Sequence, residues 1–227
     1  MLRKNKAEGK GPSWTEVILA ALLSAVVGLL GAVAFLVEKP VKAVKEIPKD
    51  APSNAVFYVA GSTDVNQTSV AEVRRSFLSG VTVELTEGEL NAYLSSISKP
   101  SSPAPAKPGE KGAPAADQGG IVPGTLNARI ADGRLQLADP VSISYFGVST
   151  SVIVQATGTI ERDGSQWVFD AEKVLVGGLQ VQRIPFLKGF VLGRLVLAQD
   201  VPSDVAAAWS RLAAVSIEGA KLRLKAQ

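Results

Sequence analysis

Residues 126–139 read LNARIADGRLQLAD. Apolar and polar residues alternate on both sides of Asp132-Gly133, and Asp-Gly between two alternating runs is a strong local signal for a two-residue β-hairpin. That turn sets Ile130 opposite Leu135 and Ala128 opposite Leu137, so one face of the ribbon is apolar. Arg129, Arg134 and Gln136 lie off that face. A second hairpin is predicted at Asp163-Gly164, with Ile160 opposite Trp167 and Gly158 opposite Phe169. Its arms run from Val141 to Glu161, bent near Gly147, and from Ser165 to Val176. Long antiparallel strands with one apolar face need a helix or a ligand to cover it. The predicted fold class is therefore α+β, a long-stranded antiparallel sheet packed on helices.

Elements on either side supply that cover. Asn54–Ala60 reads as a strand, and Val81–Leu85 alternates like another. Ser69–Ser79 carries Val70, Val73, Phe77 and Leu78 at helical spacing. Thr86 and Glu89 have the spacing of a capping box, and Leu90, Tyr93, Leu94 and Ile97 form the apolar side of the helix that follows. Downstream, Phe186–Gln199 (FLKGFVLGRLVLAQ) is apolar nearly all round, with only Lys188 and Arg194 charged. Ser203–Ala214 is predicted as a last helix that buries Val205, Trp209 and Leu212. A closing strand carries Val215, Ile217, Leu222 and Leu224.

Near the N-terminus, Val17–Val37 (VILAALLSAVVGLLGAVAFLV) runs 21 residues without a charge. At about 1.5 Å per residue it matches a hydrocarbon layer of roughly 30 Å. Ser13 and Glu16 have capping-box spacing, Trp14 suits the headgroup level, and Glu38, Lys39 and Pro40 end the run. This predicts a single-pass transmembrane helix over 14–38, behind a basic tail of residues 1–13. Ala32-Val33-Ala34 also has the form of a signal-peptidase site, but the apolar run continues through Phe35-Leu36-Val37 and is long for a cleaved signal. Arg3, Lys4, Lys6 and Lys10 in the short tail favour its retention inside, although Lys39, Lys42, Lys45 and Lys49 match them in number. The expected location is the inner (cytoplasmic) membrane, with the N-terminus cytoplasmic and the C-terminal domain periplasmic or otherwise extracytoplasmic. Ala20, Ser24, Gly28 and Ala32 recur every four residues, a stripe that lets two helices approach closely and associate.

Two stretches punctuate the rest. Residues 39–52 are charged and proline-broken and read as a stalk. Residues 99–124 (KPSSPAPAKPGEKGAPAADQGGIVPG) hold almost no large apolar residue before Ile121 and read as a disordered insertion within one α+β domain of residues 53–227.

The chain of 227 residues contains no histidine and no cysteine. Imidazole general bases, thiol nucleophiles, disulfides and zinc sites built on His or Cys are thereby excluded. No phosphate-binding loop, dinucleotide fingerprint or nucleophile elbow is present. Asp139, Glu161, Asp163, Asp170 and Glu172 could pair as carboxylates, but turn and strand-edge solvation accounts for them. A net charge of +3 without an arginine–aromatic platform does not read as a nucleic-acid surface. A non-enzymatic protein without a cofactor or metal is expected.

LTEGELNAYL (85–94), the two Asp-Gly hairpins, the stretch 152–181 and the closing IEGAKLRL resemble the YpmS-like and YceB-like proteins of the bacterial envelope. Thr86, Leu90, Asn91 and Leu94 match their L-T-x-x-x-L-N-x-x-L helix, and the resemblance covers about residues 81–227. It implies a curved antiparallel sheet wrapped round a helix, related to tubular lipid-binding (TULIP-like) domains. The Pro/Ala-rich insertion and the apolar 186–197 segment depart from the pattern.

These readings converge on a membrane-anchored envelope protein that binds lipid or another apolar ligand in a groove between sheet and helix. Trp167, Phe169, Phe186, Leu187, Phe190 and Val191 are the expected apolar lining. The competing class is a structural or assembly subunit that uses the same surface for an envelope protein partner or a second copy of itself.

Overall fold

In the computed structural model, which describes residues 13–38, 41–46, 48, 50, 56–98, 120–145, 148–184, 186–197 and 200–227, the Asp132-Gly133 hairpin forms in the predicted register. Strand β5 (Asn127–Ala131) pairs with β6 (Arg134–Tyr145), Ile130 against Leu135 and Ala128 against Leu137. Asp132 (φ 53°) and Gly133 (φ 69°) both take the positive φ that this tight turn requires. The chain is α+β with an N-terminal apolar helix and antiparallel sheets.

It divides into two compact units, Met1–Leu36 and Val37–Gln227. The first is essentially α1 (Trp14–Glu38), with Ser13 as the predicted cap: Ser13 Oγ accepts from the Glu16 amide and Glu16 returns a carboxylate to the Ser13 amide. Within it, Trp14–Val37 is long and apolar enough to cross a membrane.

Among the described residues, the second unit holds three sheets. The largest has the order β4-β6-β7-β8-β9, with β5 also on β6. Its long strands are β6, β7 (Val148–Asp163) and β8 (Gln166–Val176); β4 (Gly120–Val122) and β9 (Leu179–Gln180) are short edges. The expected single arm from Val141 to Glu161 is instead two strands, because the residues after Val148 pair back on β6, Val152 against Val141. Gly147 itself lies outside the described residues. At the second hairpin the turn is Gly164-Ser165, not Asp163-Gly164, so Ile160 meets Phe169 and Arg162 meets Trp167. The slip moves each partner by two positions and therefore leaves the faces unchanged. A bulge beside Thr157 and Gly158 then lets Ala171 and Val174, three apart, share the buried face.

A three-stranded sheet, β10 (Leu212–Glu218), β11 (Lys221–Ala226) and β3 (Val83–Thr86), aligns Leu222 with Leu85 and Ile217, and Leu224 with Val83 and Val215. The last predicted helix is thus shortened. Helix α5 spans Ser203–Ser210, and Leu212, which fits the helical spacing of Val205 and Trp209, opens a strand because β11 pairs with it. The closing strand is a hairpin turned at Gly219 (φ 62°). Helices α2 (Gln67–Leu78) and α3 (Glu87–Ile97) form as predicted, and α4 spans Leu187–Leu197. The third sheet pairs β1 (Lys42–Ala43), from the expected stalk, in parallel with β2 (Phe57–Tyr58); of the strand predicted over 54–60, residues 54 and 55 lie outside the described residues and Val59 and Ala60 are not strand. Residues 120–122 at the end of the expected insertion form β4, while residues 1–12 of the tail and 99–119 lie outside the described residues.

One apolar cluster joins Val83, Leu222, Leu224, Leu212 and Ala208 to Ala128, Ile130 and Leu135. A second joins Val154, Ala156, Val174 and Val181, with Leu187, Val191 and Leu192 of α4 packed on it. Leu94, Leu137 and Phe169 touch both clusters, which makes the core continuous. Full burial of each Val, Leu or Ile side chain among them contributes roughly 1.5–3 kcal/mol.

Candidate functional site

The six residues expected to line one groove are divided. Leu187 and Val191 pack inward on the second cluster together with Phe169, so the space between β8 and α4 is occupied by the protein's own side chains. Trp167 sits in the first cluster, where its Nε1 donates to the Leu212 carbonyl at 3.0 Å. Phe186 and Phe190 face outward, 93% and 60% exposed. Lys188 between them reaches Asp170 of β8 at 3.5 Å.

An apolar cleft of about 110 Å³ lies elsewhere, between the three-stranded sheet and helices α2, α3 and α5. Val73 and Phe77 of α2, Leu90 and Tyr93 of α3, Val205 and Trp209 of α5 form its walls. Leu85 of β3 and Leu222 and Leu224 of β11 are its floor. Each element supplies one face of its own periodicity, and none closes the space alone. Arg74 lines the cleft too and is tied across to Asp204 of α5 at 2.8 Å, with both side chains about half exposed. A larger cleft of about 200 Å³, near the ends of α2 and β11, is lined by Gly80, Arg211 and the terminal Gln227 among others. It is the more polar of the two, and none of the buried unsatisfied polar atoms lies in it.

Polar groups at the apolar cleft are nearly all committed. Glu89 accepts from the Ser69 hydroxyl and from the Thr86 amide and hydroxyl, and Thr86 Oγ1 accepts from the Glu89 amide, which completes the predicted capping box. Burial would raise this carboxyl, but the bonds from Ser69 and Thr86, with Lys221 nearby, outweigh it and hold it below the usual range. The exception is Tyr93. Its hydroxyl is buried without a hydrogen-bond partner, and burial pushes its pKa up, against a smaller lowering by Arg74.

The motif residues of α3 have a structural task next to the cleft. Asn91 is 2% exposed; its Nδ2 donates to the Ser62 and Ala128 carbonyls, and its Oδ1 accepts from the Ala128 amide. One turn earlier, Glu87 accepts from the Ile130 amide at 2.7 Å. Together they pair with the outer edge of β5 in place of another strand. Gly61 lies against the same place, where a Cβ would stand 1.9 Å from the Ala128 carbonyl oxygen. Thr86, Leu90, Asn91 and Leu94 stand out in the sequence and the cleft does not, because its walls come from residues 70–224 and no local pattern joins them.

Comparison of the chain with protein-family models, with curated proteins and with solved structures finds no match.

Proposed function

We propose that this chain is a membrane-anchored, non-enzymatic binding protein that holds the apolar part of a lipid or another apolar ligand in the cleft between the three-stranded sheet and helices α2, α3 and α5. Helix α1 is the anchor, with the N-terminus cytoplasmic and the C-terminal unit extracytoplasmic, and the resemblance to TULIP-like envelope proteins belongs to the same reading. The apolar cleft carries it: aliphatic and aromatic side chains from five elements converge on a space they do not fill. At about 110 Å³ it takes a group of a few carbons, not a whole acyl chain.

The exposure of Phe186 and Phe190 favours a second reading, in which α4 docks on an envelope protein partner in an assembly. Photolabelling of the full chain in nanodiscs with 3-trifluoromethyl-3-phenyldiazirine separates the two. Label on Leu90, Tyr93 and Trp209, in addition to α1, supports the cleft. Label confined to α1, Phe186 and Phe190 contradicts it and favours the docking surface.

A further inference from the structure

We propose that α4 docks on the bilayer that α1 enters, with Phe186 and Phe190 set into the interfacial layer at the Val37 end of the span. The proposal rests on the reading of α1 as a membrane anchor and is independent of the cleft. It gives this face of α4 a lipid surface, not a protein partner, as its occupant.

A surface helix of a unit in water has one apolar and one polar face, and a helix that is apolar all round needs cover on both. In α4 the inner cover is the second apolar cluster, on which Leu187, Val191 and Leu192 pack. The other side is apolar as well. Phe186 is almost fully exposed, Phe190 one turn on is more than half exposed, and Gly189 between them adds no polar group. Phe186 also holds a φ of 69°, a left-handed conformation that a bulky residue rarely adopts. Strain of this kind gathers at functional sites, and here it accompanies an aromatic ring turned to the outside.

Position and charge select the bilayer. Val37 closes the apolar run of α1 and belongs to the second unit. Its carbonyl oxygen lies against Gly177, in the turn between β8 and β9, where a Cβ would stand 2.1 Å from it. Val176 and Leu179 flank that turn and pack on the same cluster as Leu187, Val191 and Leu192. The second unit thus ties the inner face of α4 to the place where the chain leaves the span. Between Glu172 and Asp200 the sequence carries Lys173, Arg183, Lys188 and Arg194 and no acidic residue. Cations beside an apolar face suit anionic headgroups, whose attraction adds to the burial of apolar area. Lys188 reaches Asp170 at 3.5 Å with both groups about half exposed, a pair weak enough for a headgroup phosphate to compete with.

The chain has no cysteine, so a single introduced thiol can carry an environment-sensitive fluorophore. The test uses the full chain, one copy per nanodisc of mixed phosphatidylcholine and phosphatidylglycerol, labelled at Phe186→Cys or, to follow the anchor, at Val27→Cys. Lipid with a doxyl quencher on its acyl chain is expected to quench the fluorophore at 186 by about twofold or more. Phe190→Glu sets a charge in the same face and is expected to abolish that quenching, while the fluorophore at 27 stays quenched. No quenching at 186 beside full quenching at 27 overturns the docking and leaves the anchor in place. Quenching at 186 that survives Phe190→Glu reports closeness alone and overturns it too. An unquenched fluorophore at 186 whose emission shifts only when a second copy or another protein shares the disc assigns the face to protein and overturns the bilayer as its occupant. No quenching at 27 removes the anchor, and the docking with it.

Discussion

Asn91 shows how one side chain decides whether α3 and β5 stay together. Two of its three bonds satisfy both backbone groups of Ala128 at a place where water is excluded, and the third holds the Ser62 carbonyl. Asn91→Leu keeps the volume but orphans them, and should lower the unfolding free energy of the full chain by about 3 kcal/mol in denaturant titration. A loss below about 1 kcal/mol would mean that the edge is satisfied without it. Asp139 is the opposite case. It is 1% exposed, burial raises its pKa, and the Gly124 amide that it accepts at 2.9 Å offsets this only in part. The native state then binds more protons than the unfolded chain between the unfolded pKa, about 3.9, and the raised native value, so stability falls as pH rises through that window. Asp139→Asn keeps an acceptor for Gly124 without the charge. It should be more stable than the native chain at pH 7, with the difference vanishing near pH 3; equal stability at pH 7 would contradict this.

Between elements, two tryptophans join the sheets. Trp209 of α5 donates to the Trp167 carbonyl of β8 at 3.0 Å, while Trp167 donates to Leu212 at the start of β10. Trp167→Phe retains an aromatic ring and removes the donor, with an expected cost of about 1–2 kcal/mol in the same titration. An unchanged midpoint would show that this link is replaceable. In α1, the stripe Ala20, Ser24, Gly28 and Ala32 is proposed to bring two copies together. Among the described residues of α1, nothing lies within 4 Å of a Cβ placed at Gly28, so Gly28→Ile meets no obstacle within its own helix. Any loss of association then reports the second helix. Energy transfer between labelled chains in liposomes should fall at least fivefold in that variant; no change would remove the stripe as an interface.

For the molecule as a whole, what the sequence makes legible is local. The Asp132-Gly133 turn, the Thr86 and Ser13 caps and the uncharged run of α1 are each written within a few residues, and all of them form. The second hairpin slipped because Gly164-Ser165 serves as a turn as well as Asp163-Gly164, and only the pairing of whole strands separates the two. Leu212 fits a helical period as well as a strand, and its partner Ala226 decided it from 14 residues away. The cleft was least legible, since its walls meet only when α2, α3, α5 and two strands have packed. The cleft is proposed to hold an apolar group of a ligand. Its most direct test is mass spectrometry of the organic extract from full-length chain purified from membranes, native beside Val205→Phe and Val73→Phe. An apolar species near one equivalent is expected with the native chain, lost in both variants while their unfolding midpoints and membrane association are retained. Identical extracts from all three proteins would contradict it.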